Sequence, residues 1–175
     1  MKNLFRLSVL SFALLTAGCG YTTKSTLPPH LKTVHIEPFE NTIDYTQEGR
    51  RTLYIPLLEV DIQKALIDRF LFDGNLRIST TERADLILSG KLLNYERQVL
   101  RYTDNDDVEE YRIYITVALE MFDTHKQEVM WTESGFVGET TFFITGPLAQ
   151  SEDSAVNEAI EDLSRRIVER TIEDW

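Results

Sequence analysis

Between Tyr111 and Met121 the chain alternates. Tyr111, Ile113, Ile115, Val117, Leu119 and Met121 fall on one side of an extended backbone, with Arg112, Tyr114, Thr116 and Glu120 on the other. Such a segment is a strand with one apolar face, and that face has to be covered by something else in the chain. Two segments have the required spacing. Ile55, Leu58, Ile62, Ala65, Leu66 and Phe70 recur at helical intervals and end at Asp73-Gly74-Asn75, where Gly74 suits the left-handed conformation past a helix terminus. Val156, Ala159, Ile160, Leu163 and Ile167 form a second stripe on a helix expected from Ser151 to Glu173. Ser151, Glu152 and Asp153 suit the positive start of that helix, and Arg165, Arg166 and Arg170 lie toward its negative end.

The remaining periodic segments are strands. Thr33 to Glu37 is a short one closed by Pro38, and Leu76 to Ser79 follows the first helix. A strand, a helix and a strand in that order are most simply a right-handed crossover with the two strands parallel. Ala84 to Leu100 is a longer strand, turned at Thr103 to Asp107 into the alternating segment; Thr124 to Glu128 turns the chain again into Val129 to Phe143. A polar loop through Gly49 and Arg50-Arg51 separates the first strand from the first helix. Both helices bury their stripes most economically on the same side of the sheet, which gives a two-layer α+β sandwich. The opposite face carries Tyr114, Thr116, Ala118 and Phe122, less polar than a purely solvated face, and so is expected to meet a partner.

The N-terminus imposes a compartment. Lys2 and Arg6 precede an apolar run from Leu7 to Ala17, too short for the roughly 20 residues of a membrane span, and small residues lead to the single cysteine. Leu15-Thr16-Ala17-Gly18-Cys19 resembles the lipobox of bacterial lipoproteins, in which the chain is cut before the cysteine and the thiol is acylated. The expected organisation is a removed signal peptide over residues 1–18, a lipidated and proline-stiffened tether over 19–32, and one domain over 33–175. With Cys19 acylated, the mature chain has no disulfide and no thiol chemistry. Gly20 after the cysteine resembles the lipoproteins that are sorted onward to the outer membrane.

The charge of −11 becomes about two units more negative once Lys2 and Arg6 are removed, and this argues against nucleic acid, whose phosphates the surface would repel. An anionic lipid would need a local basic patch. Lys91, Arg97, Arg101 and Arg112 flank one predicted hairpin and are candidates for a patch that holds phosphates; the competing expectation is that they pair with Glu96, Glu109 and Glu110. No nucleophile, base and positioning group stand in a recognisable set: there is no GxSxG, Gly-rich phosphate loop, HExxH or CxxC. His35 and Glu37 share a strand face, but no third ligand is visible, and the acids at 104–107, 109–110 and 152–153 lack EF-hand spacing. No cofactor and no catalysis are expected.

Several blocks in order carry a resemblance. Cys19-Gly20-Tyr21, Leu27-Pro28-Pro29, Val34 to Ile36 with Pro38-Phe39-Glu40-Asn41, Phe70 to Leu76, Ala84 to Gly90, Val129-Met130-Trp131 and the C-terminal helix together resemble the LptE family of lipopolysaccharide-assembly lipoproteins. The resemblance implies two helices packed on one face of a mixed four-stranded sheet. It further implies a non-enzymatic subunit of the outer-membrane lipopolysaccharide translocon that sits inside the β-barrel partner LptD, assists its assembly and binds lipopolysaccharide. An envelope lipoprotein that scaffolds or activates a periplasmic cell-wall enzyme is the alternative from a different class.

Overall fold

The computed structural model describes residues 27–45 and 55–173. The expected signal peptide, Cys19, most of the tether and the loop around Gly49 lie outside the described residues. Along the chain stand β1 (Thr33–Ile36), β2 (Glu40–Asn41), α1 (Leu58–Asp73), β3 (Arg77–Ile78), a short 3₁₀ turn, β4 (Leu86–Tyr102), β5 (Val108–Asp123), β6 (Glu128–Phe143) and α2 (Glu152–Glu173).

The sheet order is β3-β1-β4-β5-β6, with β2 also pairing to β4. β1 runs parallel to both β3 and β4, so β1-α1-β3 joins two parallel strands as expected; β4, β5 and β6 form an antiparallel meander. The sheet therefore has six strands, not four. Beyond the four that the resemblance implied, β3 falls within the strand expected at Leu76 to Ser79, and β2, two residues paired to β4, is the strand that the residues did not indicate. Two residues cannot display a period, so a strand as short as β2 leaves no mark in a hydrophobic pattern.

Both helices lie on one face. Leu58, Ile62, Leu66 and Phe70 of α1, and Ala155, Ala159, Leu163 and Ile167 of α2, pack on Leu86, Leu88, Leu92, Ile113, Ile115, Val117 and Met121 in one continuous core. The helix starts at Leu58, so Ile55 precedes it; Leu57 just before it takes the left-handed conformation, φ 61°. Gly74 ends it at φ 77°, with its N–H bonded to the carbonyl of Phe70. At the other helix, the Ser151 hydroxyl accepts the Ser154 N–H at 3.2 Å, as the sequence indicated for an N-terminal cap.

Two glycines set the layer spacing. Phe39, between β1 and β2, lays its ring over Gly90 of β4, where a Cβ would fall 2.2 Å from the ring. Gly138 of β6 meets the backbone of α2: a Cβ there would sit 2.4 Å from Leu163 Cβ and 2.7 Å from the Ala159 carbonyl oxygen. Neither group can move without moving the helix. Gly138→Ala should therefore destabilise the domain by about 1–3 kcal/mol, the usual cost of overpacking, while Gly135→Ala, which meets nothing within 4 Å, should stay near wild type. Urea unfolding of both variants measures the contrast.

Candidate functional site

The uncovered face of the sheet is organised in cross-strand rows. Gln98, Arg112 and Thr141 form one; Glu96, Tyr114 and Glu139 the next; then Asn94, Thr116 and Val137; and Ile87, Phe122 and Val129 toward the far end. Tyr114, Thr116, Ala118 and Phe122 are each half-buried although no helix covers them, because their neighbours on adjacent strands shield them. Beside Lys91 an open groove of about 460 Å³ is bounded by Glu37, Glu40, Ala118, Glu120 and Thr132, among others.

The four candidate cations do not form one patch. Arg101 and Arg112 stand on the uncovered face near the β4–β5 hairpin, and Lys91 lies on the same face further along β4. Arg97 pairs with the core residue Ile113 and points to the opposite, helix-covered side. A β-bulge between Leu92 and Asn94 changes which side chains of β4 face the helices, and uniform alternation along the hairpin does not reveal it.

Each cation has its own partner. Lys91 Nζ lies 3.1 Å from Glu40, with both side chains more than half exposed. Arg101 meets the buried Glu110 at 3.4 Å and places its guanidinium 5.7 Å from the Phe143 ring. Pairing with Glu110 was the competing expectation for this arginine. Arg112 is held in its charged form by a side-chain hydrogen bond with Tyr114, aided by Glu139 and Glu110; its Nε is buried with no hydrogen-bond partner among the described residues.

Arg97 has a structural task. It donates to Glu152 at the start of α2 and stacks 4.6 Å over Tyr111, while the fully buried Tyr95 donates its hydroxyl to the same carboxylate at 2.9 Å. Burial and the bond to Glu152 push the Tyr95 hydroxyl well above the ordinary tyrosine range. Glu152 thus ties α2 to β4 through two side chains.

A second carboxylate organises the other end of the sheet. Asp85 accepts the N–H groups of Lys32 and Thr33 at 2.8 and 2.9 Å and the Thr33 hydroxyl at 2.8 Å, and its other oxygen lies 2.7 Å from His125 Nε2. Burial alone would raise its pKa, but the bonds from His125, Lys32 and Thr33 outweigh it and lower the value to about 2. His30 and His125 meet edge to face at 5.9 Å, and His35 Nδ1 lies 3.0 Å from the Ser79 carbonyl. Among the described residues no group of three or more His, Cys, Asp or Glu is placed to hold a metal, and no helix is long and apolar enough to cross a membrane.

Two helices on one face of a mixed sheet, with the other face open and lined by aromatic and cationic side chains, define a two-layer α+β sandwich with one uncovered sheet face. The lipopolysaccharide-assembly LptE family model matches residues 31–171, and the chain belongs to that family. The family is one of non-enzymatic lipoproteins of lipopolysaccharide assembly at the outer membrane. Among solved structures, the hypothetical protein CT253 from Chlamydia trachomatis shares the fold at 13% identity and a TM-score of 0.51, over 81% of this chain and 95% of that one. A minor lipoprotein from Acinetobacter baumannii is similar at 16% identity and TM-score 0.48, covering 82% of this chain and 92% of its own. The rare lipoprotein B from Shewanella oneidensis follows at 12% identity and TM-score 0.45, over 78% and 92%. Among curated proteins no sequence matches.

Two variants separate the roles of these charges. Because Asp85 has a lower pKa folded than unfolded, its contribution of about 2 kcal/mol is present above pH 4 and fades as pH falls toward 2. Asp85→Asn should lose that amount at pH 7 and nothing further in acid, as urea unfolding across pH would show. Arg97→Glu should unfold the start of α2 and lower stability by about 3–5 kcal/mol, since it sets two carboxylates together in a partly buried site; Arg112→Glu on the open face should cost far less in the same measurement.

Proposed function

We propose that this chain is a lipid-anchored, non-enzymatic subunit of the outer-membrane lipopolysaccharide translocon. It is acylated on Cys19, faces the periplasm or sits within the lumen of a β-barrel partner of the LptD type, assists assembly of that barrel and binds lipopolysaccharide. The observation that carries this reading is the family match over nearly the whole domain. The open sheet face supports it: lipopolysaccharide joins phosphates to acyl chains, and Arg101 and Arg112 beside Phe143 and Tyr114, with Lys91 beside Ala118, offer charge and apolar surface together. Arg97, which belonged to the same expected set, acts here through the fold.

Arginine suits this task. Its planar guanidinium engages phosphate with two parallel hydrogen bonds while its face stacks on an aromatic ring, as Arg101 already does on Phe143. In a chain with a net charge of −11 a phosphate is drawn only to such local points, so removing them should matter disproportionately.

A tagged full-length protein at native expression should co-purify with a large outer-membrane barrel in mild detergent. Recovery alone, or with a soluble cell-wall enzyme, would overturn the reading. Arg101→Gln with Arg112→Gln should weaken lipopolysaccharide capture at least tenfold while leaving the circular-dichroism spectrum and the barrel association intact. Unchanged capture would remove these two residues from the binding surface.

A further inference from the structure

The domain is polarised along its strands. β5 has 16 residues and so runs about 50 Å. At the β4–β5 hairpin end stand Asp104, Asp106, Asp107 and Glu109, all at least partly exposed. At the other end meet the start of β1, the end of α1, β3, the 3₁₀ turn before β4 and the β5–β6 turn. Here the exposed Lys32, Arg77, Arg83 and Lys126 stand against Asp73, Glu82, Asp85, Glu128 and the buried Asp123, so the cations offset all but one of the acids, and His30 and His125 lie beside them. An anionic surface repels the hairpin end and tolerates this one.

This end also carries the most exposed large apolar side chain of the described residues. Phe72 is 82% and Leu71 60% exposed in the last turn of α1, five residues before Arg77 of β3. The first described residue, Leu27, enters here too: Leu31 is buried in the core and the Lys32 N–H is bound by Asp85. Fully extended, the chain from Cys19 to Leu27 spans at most about 28 Å, which keeps an acylated Cys19 close to this end and leaves the hairpin end out of its reach.

We infer that the end formed by the last turn of α1, β3 and the β5–β6 turn rests on the anionic leaflet that holds the acyl chains, with Phe72 and Leu71 entering the headgroup region. The inference rests on the proposed anchor at Cys19. Aromatic and cationic side chains side by side are what a bilayer interface accepts, the ring among the headgroups and the cations against their phosphates. The hairpin end then points away from the membrane.

The full chain, purified with its anchor and reconstituted in vesicles of phosphatidylethanolamine and phosphatidylglycerol, tests this. An environment-sensitive dye is attached at Phe72→Cys or, as the control at the hairpin end, at Leu148→Cys, where the native side chain is 73% exposed. An acylated Cys19 takes no dye, so each variant should carry one label and float with the vesicles. The emission of the 72 label should shift to the blue and be quenched by brominated lipid, and that of the 148 label should do neither. Floating protein with both labels in water, or with only the 148 label quenched, overturns the contact and leaves the anchor standing. Protein that takes two labels and does not float, yet shows the blue shift at 72 when vesicles are added, overturns the anchor and supports the contact. Neither flotation nor shift overturns both.

Discussion

The architecture depends on how closely α2 approaches β6. At Gly138 the helix backbone occupies the space where any other residue would have its first side-chain carbon, so the helix layer lies as low on the sheet as the chain permits. Contact that close buries Ile113, Ile115, Val117 and Met121 completely and gives β5 a dry face along most of its length. It also uses up the helices. With α1 and α2 both committed to one side, no element of the described chain is left to cover the other, and the half-buried aromatics there remain at the surface. The open face is a consequence of tight packing elsewhere.

Two carboxylates hold the ends of this arrangement. Glu152 takes the Tyr95 hydroxyl and the Arg97 guanidinium and so fixes where α2 begins, while Asp85 gathers the strand entry at Lys32–Thr33 and the turn at His125. Both join segments far apart in sequence. In a chain with a large acidic surplus, most carboxylates only solvate the surface, but a half-buried one surrounded by donors is strongly directional, because its charge is stabilised only in that geometry. The last half of α2 uses the complementary device: Arg166 and Arg170 lie 5.3 Å over Phe136 and Trp131 of β6, and Arg166 and Asp162 bind the Val137 carbonyl and the Glu139 N–H on the sheet edge. Those bonds occupy backbone groups that would otherwise invite another strand.

What could be read from the residues follows from range. The alternation at Tyr111 to Met121, the two helical stripes, Gly74 and Ser151 are local signals, each settled within a few turns of chain, and each appears where expected. The strand expected at Leu76 to Ser79 is present as β3, whereas β2 is made by its neighbour: Glu40 pairs with Lys91 and Asn41 with Leu92. The candidate cations failed to gather for a similar reason. One bulge after Leu92 sends Arg97 inward, and a bulge is a property of two strands in register, invisible to the period of one. Asp85 could not be recognised either, since its four donors come from segments before and after it with nothing local to announce them.

The displaced arginine sharpens what the open face can do. With Arg97 drawn into the clamp on Glu152, the cations left outside are Arg101 and Arg112 near the hairpin and Lys91 beside the groove, already in contact with Glu110, Tyr114 and Glu40. A phosphate approaching them competes with those partners, so its binding would be weaker than to bare cations and more dependent on apolar contacts made at the same time. That favours an amphiphile over a soluble anion. An inorganic phosphate would gain only the charge, whereas a glycolipid adds acyl chains that can lie along Phe122, Ala118 and Val137, and only the second gain offsets the displacement of Glu110 from Arg101. On the proposed reading, the pairing of these cations with acids of the same face would favour an amphiphile over a bare phosphate.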